Sequence, residues 1–271
     1  MNSPLIKWTG SKRSISSKIT SYFPEYIETY YEPFVGGGSV FFKLLKDNRN
    51  IKKFKLSDKN DSLIDILNIV KDNPKELIVS YNDKWQKLQK DPNFFYTERD
   101  TYNKTKDPLV FYFLTRTCYN GTIRYNNKGE FNTSHHFGRT GMVPNKVEKI
   151  ILYYSDLMKG KDIDFECKSF ENISPSGGRD VVYADPPYTN SKSLYFGNIS
   201  FKTLLSWLDH LPCSWFMNIN QVSSEDNEED VSIKYTNKEL LFSGNSSFSR
   251  MKGKNVNVGE YFYYKIQDSA H

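Results

Sequence analysis

The apolar residues of this sequence follow two different spacings. Short continuous apolar runs, which are typical of buried strands, lie in the first 60 residues and again after residue 160. Between these two groups, apolar residues recur at helical spacing, beginning with Leu63, Ile66, Leu67 and Val70. The runs predict a strand leading into the glycines at 36–38 and further strands at 54–58, 164–167, 181–185, 215–220, 233–235 and 260–266.

The middle of the chain is predicted to be helical. Helical spacing extends over 62–116, interrupted by two Asp-Pro pairs, and it resumes over 144–159. We therefore predict an α/β fold in which a doubly wound mixed sheet is interrupted by an inserted, mainly helical domain. The predicted boundaries are 1–60 together with 160–271 for the sheet domain, and 61–159 for the insertion.

The predicted strand at 181–185 runs into Asp185-Pro186-Pro187-Tyr188, four residues suited to activating an aromatic amino group. The exocyclic amine of adenine or cytosine is a poor nucleophile because its lone pair is delocalised into the ring. The carboxylate of Asp185 and the carbonyl of Pro186 can accept hydrogen bonds from the N–H groups of this amine. These bonds shift the nitrogen toward tetrahedral geometry and so free its lone pair. The prolines fix φ and lack amide donors, and Tyr188 offers a ring on which an extruded base can stack. The alternative is a strand followed by a structural turn.

A glycine loop and a following acid predict a nucleoside site. Phe34 and Val35 lead into Gly36, Gly37 and Gly38, after which an amphipathic segment begins. Missing side chains let a ligand approach the backbone and the helix N-terminus. The next predicted strand ends at Asp58, where a carboxylate can accept hydrogen bonds from ribose hydroxyls.

The inserted domain contains a polar segment, 116–132, in which Arg, Asn and aromatic residues alternate between glycine turns. This pattern predicts a β-hairpin or looped finger. Arg124 can pair with guanine O6 and N7, and Tyr119 can fill the gap left by a flipped base. The DNA contacts that we expect from this domain are Arg99, Arg116, Tyr119, Asn120, Arg124 and Asn126.

Charge and cysteine content agree with a DNA-binding enzyme. The net charge is +5, and basic residues concentrate in 1–24 and 101–150, as expected for surfaces that meet phosphates. The three cysteines share no metal-ligand spacing, and their odd number argues for a reduced, cytoplasmic setting. No apolar run is long enough for a membrane span, and we predict no metal site.

Taken together, these motifs resemble the Dam-type DNA adenine-N6 methyltransferases of phages and restriction systems. The resemblance covers most of the chain, through segments 7–12, 32–41, 116–132 and 185–188. The order of glycine loop, recognition region and Asp-Pro-Pro-Tyr is that of the family's α class. The resemblance implies a Rossmann-like methyltransferase domain, S-adenosylmethionine as cofactor, double-stranded DNA as substrate and, as a further partner, a cognate restriction endonuclease.

The resemblance also implies roles for individual residues. Asp185, Pro186, Pro187 and Tyr188 would be catalytic, and Lys7 would contact a base. The residues expected to contact the cofactor are Trp8, Lys12, Phe34, Gly36, Gly38, Asp58, Ser169, Phe170 and Asp185.

One segment departs from the family pattern. Dam-type enzymes follow the Phe-Asn pair with a proline-containing turn, whereas this chain continues with a longer segment without proline, 133–139. The family's GATC target is therefore not transferred to this chain. We expect a site in which an adenine is flanked by guanine.

The expected reaction is direct transfer of a methyl group to the N6 amino group of a flipped adenine, without a covalent enzyme intermediate. Three alternatives remain open from the residues alone: a cytosine-N4 methyltransferase, a nicotinamide oxidoreductase and a catalytically silent DNA-binding protein.

Overall fold

A computed structural model describes residues 3–136, 138, 140–187, 200–221, 237–245 and 257–267. Within these residues a seven-stranded sheet has the order β3-β2-β1-β4-β5-β7-β6. The strands are β1 (Tyr26–Glu32), β2 (Asn50–Asp58), β3 (Asp162–Cys167), β4 (Val181–Ala184), β5 (Ser214–Gln221), β6 (Lys238–Asn245) and β7 (Asn257–Lys265).

The sheet is mixed, as the sequence predicts. Strands β1 to β5 pair in parallel, whereas β7 is antiparallel to both β5 and β6. The chain order reverses between β1 and β4, and ligands of such sheets bind beyond the carboxyl ends of the strands at this switch point. Glu32, Asp58 and Asp185 all lie at or directly after those ends.

Eight helices accompany the sheet in the part of the chain that the structure describes. They are α1 (Ser16–Thr20), α2 (Ser39–Lys46), α3 (Asp61–Asp72), α4 (Pro74–Lys90), α5 (Phe94–Thr105), α6 (Pro108–Thr117), α7 (Pro144–Met158) and α8 (Phe201–Asp209). The helices α3 to α7 form the predicted insertion, which we call the recognition lobe.

Both faces of the sheet are covered, because successive strand residues alternate between them. Tyr30 packs into a core shared with α1, α2 and α3, whereas its neighbour Tyr31 packs on the other face against α8. The first core continues into the recognition lobe, where it includes Phe111 and Phe113 of α6. The lobe and the sheet therefore share one apolar core.

Helix starts in the recognition lobe follow from local chemistry. The side chain of Asn60 accepts a hydrogen bond from the N–H of Leu63 at 3.0 Å and so caps α3. Asp107 caps α6 in the same way, and Pro108 occupies its first turn. The Asp-Pro pairs that interrupt the helical pattern in the sequence thus coincide with the ends of α4 and the start of α6.

A short hairpin spans 122–133 between α6 and α7. The N–H of Asn126 donates to the carbonyl of Glu130 at 2.9 Å, and the N–H of Asn132 donates to the carbonyl of Arg124 at 3.0 Å. Gly129 has a φ of +74° in the turn, a conformation that favours glycine. The predicted finger is therefore a hairpin, which we call the recognition hairpin.

Strand boundaries are the least accurate part of the sequence prediction. Strand β2 begins at Asn50 and β7 at Asn257, several residues before the apolar runs that predict them. The predicted strand at 233–235 lies outside the described residues, and β6 was not predicted. It carries polar residues and glycine, so its pattern is not that of a buried strand.

Candidate active site

A cavity opens at the carboxyl ends of β1, β2 and β4. It encloses about 830 Å³ of empty space, counted out to its open mouth. Its walls are the N-terminal segment 8–12, the glycine loop, the end of β2, the residues 183–187 and Tyr125 of the recognition hairpin. The cavity thus brings together the glycine loop, Asp58 and residues 185–187, which lie far apart in the sequence.

The glycine loop forms one wall and is packed under Trp8. A Cβ atom at Gly36 would lie 2.8 Å from Nε1 of Trp8, and one at Gly37 would lie 2.9 Å from Cβ of Trp8. Gly36 also has a φ of +48°, and Gly38, with a φ of +68°, caps α2. Larger residues are therefore excluded from this loop by contact with Trp8 and by backbone conformation, and the loop and Trp8 together form this wall of the cavity.

Asp58 is held at the end of β2 by backbone donors. Its two carboxylate oxygens accept hydrogen bonds from the N–H groups of Gly36 and Asn60, each at 3.0 Å. Burial raises the pKa of Asp58 from 3.8 to about 6, although the hydrogen bonds from Asn60, Gly36 and Lys59 oppose this shift. The carboxylate is thus fixed in place and faces the cavity.

Lys12 joins the N-terminal segment to Asp185. Its Nζ lies 2.8 Å from Oδ1 of Asp185 and 3.4 Å from Oε1 of Glu260, and the Lys12 and Asp185 side chains are 5% and 20% exposed. The same Nζ donates to the carbonyl of Gly10 at 2.9 Å. A buried ammonium therefore orients the Asp185 carboxylate from the side of the cavity.

Glu260 belongs to a polar chain that crosses β7, β5 and β4. Nδ2 of Asn218 donates to Oε1 of Glu260 at 3.0 Å, and the hydroxyl of Tyr183 donates to Oδ1 of Asn218 at 2.9 Å. Burial raises the pKa of Glu260, and Lys12 is the largest influence that opposes this rise. The position of Lys12 is therefore supported by the antiparallel part of the sheet.

Glu32 is a further acid in the cavity wall. It is 2% exposed, and Oε2 accepts a hydrogen bond from the hydroxyl of Tyr30 at 2.8 Å. Burial raises its pKa well above the usual range, and the neighbouring Asp185 charge raises it further. Glu32 and Asp185 are therefore in different electrostatic settings although they line the same cavity.

The structure describes three of the four residues that are predicted to be catalytic. Asp185 follows β4 directly, and Pro186 and Pro187 continue along the cavity wall. Neither proline has an N–H group, so this segment presents acceptors without competing donors. Tyr188 lies outside the described residues.

The predicted cofactor residues divide into two groups. Trp8, Lys12, Phe34, Gly36, Asp58 and Asp185 line the cavity. Gly38 instead shapes the start of α2, where an added Cβ would lie 2.8 Å from the ring of Phe42.

Ser169 and Phe170 are absent from the residues that line the cavity, and their contacts with the cofactor stay a prediction. Phe170 is 2% exposed and packs behind Phe34, with ring centroids 5.6 Å apart, so it supports the wall from outside. Ser169 donates instead to Glu171 at 2.9 Å.

Most of the predicted DNA contacts lie on the surface of the recognition lobe. Arg124 is exposed, and its Nε donates to Oδ1 of Asn132 at 3.0 Å. Tyr119 is 47% exposed and stacks on His136, with ring centroids 4.9 Å apart. Three other predicted contacts in the lobe have partly or fully exposed side chains: Arg99, Asn120 and Asn126. Lys7, in the N-terminal segment, is also partly exposed.

Arg116 is buried, which contradicts its prediction as a DNA contact. It is 2% exposed, and its guanidinium donates to the backbone carbonyls of Pro4 (2.7 Å) and Leu5 and to the hydroxyl of Tyr112 (3.3 Å). The basic residue thus fastens the N-terminal segment to α6. Sequence gives no sign of this, because a buried and an exposed arginine look alike in a polar segment.

Asn126 has a turn-forming role in the hairpin. Its Oδ1 accepts hydrogen bonds from the N–H groups of Lys128 (2.9 Å) and Glu130 (3.0 Å), and its Nδ2 donates to Glu130 at 2.8 Å. Asparagine is favoured at such turns because its side chain satisfies nearby backbone groups. The prediction of a DNA contact at Asn126 gains no support from this arrangement.

Four residues of the site were not predicted: Glu32, Asn60, Tyr125 and Glu260. An acid at the end of a predicted strand is the signal that identified Asp58, and the same signal was available for Glu32. Tyr125 and Glu260 have no local signal, because each reaches the cavity through tertiary contacts.

No cluster of three or more His, Cys, Asp or Glu side chains suited to a metal ion occurs among the described residues. The described helices include none with the length and apolar character needed to cross a membrane.

The chain is similar to known proteins. A family model described as D12 class N6 adenine-specific DNA methyltransferase matches residues 8–204. The Type II methyltransferase M.MjaIII of Methanocaldococcus jannaschii is 36% identical over 203 residues, which cover 68% of this chain and 68% of that protein.

Two DNA adenine methylases are also similar to the chain. The protein of Haemophilus influenzae is 32% identical over 195 residues, covering 68% of this chain and 63% of its own length. The protein of Escherichia coli K12 is 33% identical over 192 residues, covering 69% of this chain and 65% of its own length. The match therefore spans slightly less than two thirds of each methylase. The chain belongs to the D12 class of N6 adenine-specific DNA methyltransferases.

Proposed function

We propose that this protein transfers a methyl group from S-adenosylmethionine to the N6 amino group of an adenine flipped out of double-stranded DNA, at a specific sequence. One observation carries the proposal. The carboxylate of Asp185 is held by Lys12 at 2.8 Å beside two consecutive prolines, at the edge of a cavity floored by a glycine loop. This is the arrangement that an aromatic amine needs in order to react.

The cavity fits the proposed donor. Trp8 packs directly on the glycine loop, since any Cβ at Gly36 or Gly37 would meet the Trp8 side chain. Trp8 and the loop together line the cavity, and we propose that the flat adenosyl group lies against them. Asp58 is fixed by two N–H groups and can accept hydrogen bonds from ribose hydroxyls. When bound, S-adenosylmethionine supplies a methyl group activated by the adjacent positive sulfur.

The residues of the chain contribute mainly positioning. Asp185 and the carbonyl of Pro186 accept hydrogen bonds from the N–H groups of the target amine. These bonds favour the form of the amine in which the lone pair is no longer delocalised into the ring. Lys12 holds the Asp185 carboxylate at one angle, and Glu260 with Asn218 holds Lys12. Holding the reactants in line can contribute several kcal/mol to the rate, on the order of 7–11 for ideal cases. Tyr188 is proposed to stack on the flipped base.

DNA recognition is assigned to the recognition lobe. We propose that Arg124 contacts guanine in the major groove, that Tyr119 and Asn120 occupy the gap left by the flipped base, and that Lys7 reaches a further base. Arg99 is proposed as a phosphate contact.

The relatives named as Type II methyltransferases suggest a cognate restriction endonuclease as partner. The free cysteines accord with a cytoplasmic setting.

The test is the transfer of labelled methyl from S-adenosylmethionine to unmodified plasmid DNA, followed by nucleoside analysis and modification-aware sequencing. We expect N6-methyladenine at one recurrent motif. N4-methylcytosine would contradict the assignment of the base. DNA binding without any incorporation would contradict the assignment of the reaction.

A further inference from the structure

The recognition hairpin contributes a residue to the cavity at the carboxyl ends of β1, β2 and β4, which we call the donor cavity because the methyl donor is proposed to bind there. Tyr125 lines the cavity and is 5% exposed. Its hydroxyl accepts a hydrogen bond from Nδ2 of Asn60 at 3.1 Å, and the N–H of Asn60 donates to Oδ1 of Asp58 at 3.0 Å. Two hydrogen bonds therefore join the hairpin to the carboxylate that is proposed to hold the donor ribose.

The residue before Tyr125 faces the other way. Successive side chains in an extended strand point to opposite faces. Accordingly, the Arg124 side chain is exposed while the Tyr125 side chain is buried against the cavity. The backbone of both residues is tied to the second hairpin strand through the Arg124 carbonyl and the isolated bridge between Tyr125 and Phe131. Arg124 and Tyr125 are therefore neighbours on one hydrogen-bonded strand, with Arg124 on its exposed side and Tyr125 on its cavity side.

Both partners of the hydrogen bond are themselves fixed. Asn60 is 7% exposed, and its Oδ1 caps α3 through the N–H of Leu63 at 3.0 Å. On the other side, the Tyr125 hydroxyl is also hydrogen-bonded to Tyr102 of α5, the helix that carries Arg99. Two residues proposed to meet DNA thus flank the residue that touches the donor site.

We propose that Tyr125 is a positioning residue through which DNA bound at the recognition hairpin strengthens donor binding, an inference that rests on the proposed function. The Tyr125–Asn60–Asp58 chain is already formed in the folded protein, so DNA that holds the hairpin in place also holds this chain in the arrangement that the donor meets. By thermodynamic linkage, the donor strengthens DNA binding by the same factor.

The experiment compares the wild-type protein with Tyr125→Phe, which removes the hydroxyl and keeps the ring. Calorimetry measures the dissociation constant of S-adenosylhomocysteine, an unreactive probe. It is measured with and without a DNA duplex that carries the motif identified by the plasmid methylation experiment. Because Tyr125 lines the cavity, Tyr125→Phe is expected to weaken donor binding without DNA as well, so the quantity compared is the ratio of the affinities with and without DNA. The enhancement produced by DNA should fall by about three- to ten-fold, as expected for one hydrogen bond.

Tyr81→Phe is the matched control. Tyr81 is 1% exposed, lies in the recognition lobe, and donates a hydrogen bond from its hydroxyl to the carbonyl of Met142 at 2.7 Å. It does not line the donor cavity. A purely structural effect of losing a buried tyrosine hydroxyl would reduce the coupling in both variants, whereas the proposed role reduces it only in Tyr125→Phe.

A second variant approaches the same bond from the other side. Asn60→Ser keeps a residue suited to capping α3 but removes the amide donor. We expect Asn60→Ser to lose the same coupling as Tyr125→Phe, and the double variant to lose no more than either. If Tyr125→Phe does not fold, Asn60→Ser decides the question alone.

Two results would overturn the inference: a wild-type protein in which DNA leaves donor affinity unchanged, or variants at Tyr125 and Asn60 that keep the full enhancement. These results differ from a failure of the proposed function. A protein that binds no S-adenosylhomocysteine and transfers no methyl group contradicts the function itself, whereas normal transfer without coupling contradicts only the role of Tyr125.

Discussion

The donor cavity and the recognition hairpin use charged side chains in opposite ways. In the cavity, Lys12 is 5% exposed and lies between two carboxylates. On the hairpin, Arg124 is exposed and is held by a hydrogen bond to a neighbouring side chain on the same hairpin. Under the proposed function, the reaction geometry is built into the folded protein, whereas the base contacts form only when DNA binds. Substitutions in the two regions should therefore affect rate and specificity separately.

The largest effect is expected at Asp185. Asp185→Ala removes the acceptor for the target amine, and we expect methyl transfer to fall at least about 100-fold while DNA binding persists. Asp185→Asn is the matched variant, because it keeps the shape but replaces one acceptor oxygen by a donor. Initial rates of labelled methyl transfer and gel-shift titrations measure the two properties. More than a few per cent of residual activity in Asp185→Ala would show that another group activates the amine.

Arg116 provides the sharpest contrast with the hairpin, because it is a buried arginine in the same lobe. Arg116→Met should leave the carbonyls of Pro4 and Leu5 without their donor, at a cost of about 3 kcal/mol in the free energy of unfolding. Urea denaturation measures this change, and Arg124→Met serves as the exposed control, with an expected cost below about 0.5 kcal/mol. A stable Arg116→Met protein with reduced DNA affinity and a shallower salt dependence would instead make Arg116 a phosphate contact.

Arg116 also shows what limits prediction from this sequence. The fold class followed from the sequence because apolar runs and helical spacing occupy separate parts of the chain. The donor cavity followed in part because Gly36, Asp58 and Asp185 each lie at the end of a predicted strand, and parallel strand ends meet at one edge. Burial of a polar residue leaves no such pattern, since it depends on which distant backbone groups need a donor.

The same limit applies to Glu260 and Tyr125. Glu260 reaches Lys12 only because β7 inserts antiparallel between β5 and β6. Tyr125 reaches the cavity because the hairpin folds back onto the end of β2. Conversely, Phe170 was predicted at the cofactor on family resemblance, yet it lies one layer behind Phe34. Local sequence thus indicates which residues end a strand, but not which side chain fills a wall.

Arg124 tests the hairpin side of the comparison directly. Arg124→Ala should reduce discrimination at one base pair by about 1–3 kcal/mol, because a bidentate contact to guanine is lost. Methylation rates on duplexes that vary one position of the motif measure this loss. Lys128→Ala is the matched control, since Lys128 is exposed at the turn of the same hairpin. Equal weakening on every duplex would identify Arg124 as a phosphate contact.

The smallest expected effect is a pH dependence of donor affinity, which tests the role of the Asp58 carboxylate in the cavity. Burial raises the pKa of Asp58 from 3.8 to about 6 in the folded protein. Because the folded-state pKa is the higher one, the stability that this group contributes is fully present below about pH 4 and is lost as the pH rises through 6. Donor binding should show the opposite dependence, since only the ionised carboxylate accepts two ribose hydroxyls. We therefore expect the affinity for S-adenosylhomocysteine to fall by about five-fold between pH 6 and pH 5, and Asp58→Asn to bind weakly without this dependence. An affinity that stays constant across this range in the wild-type protein would mean that Asp58 does not bind the donor through its charge.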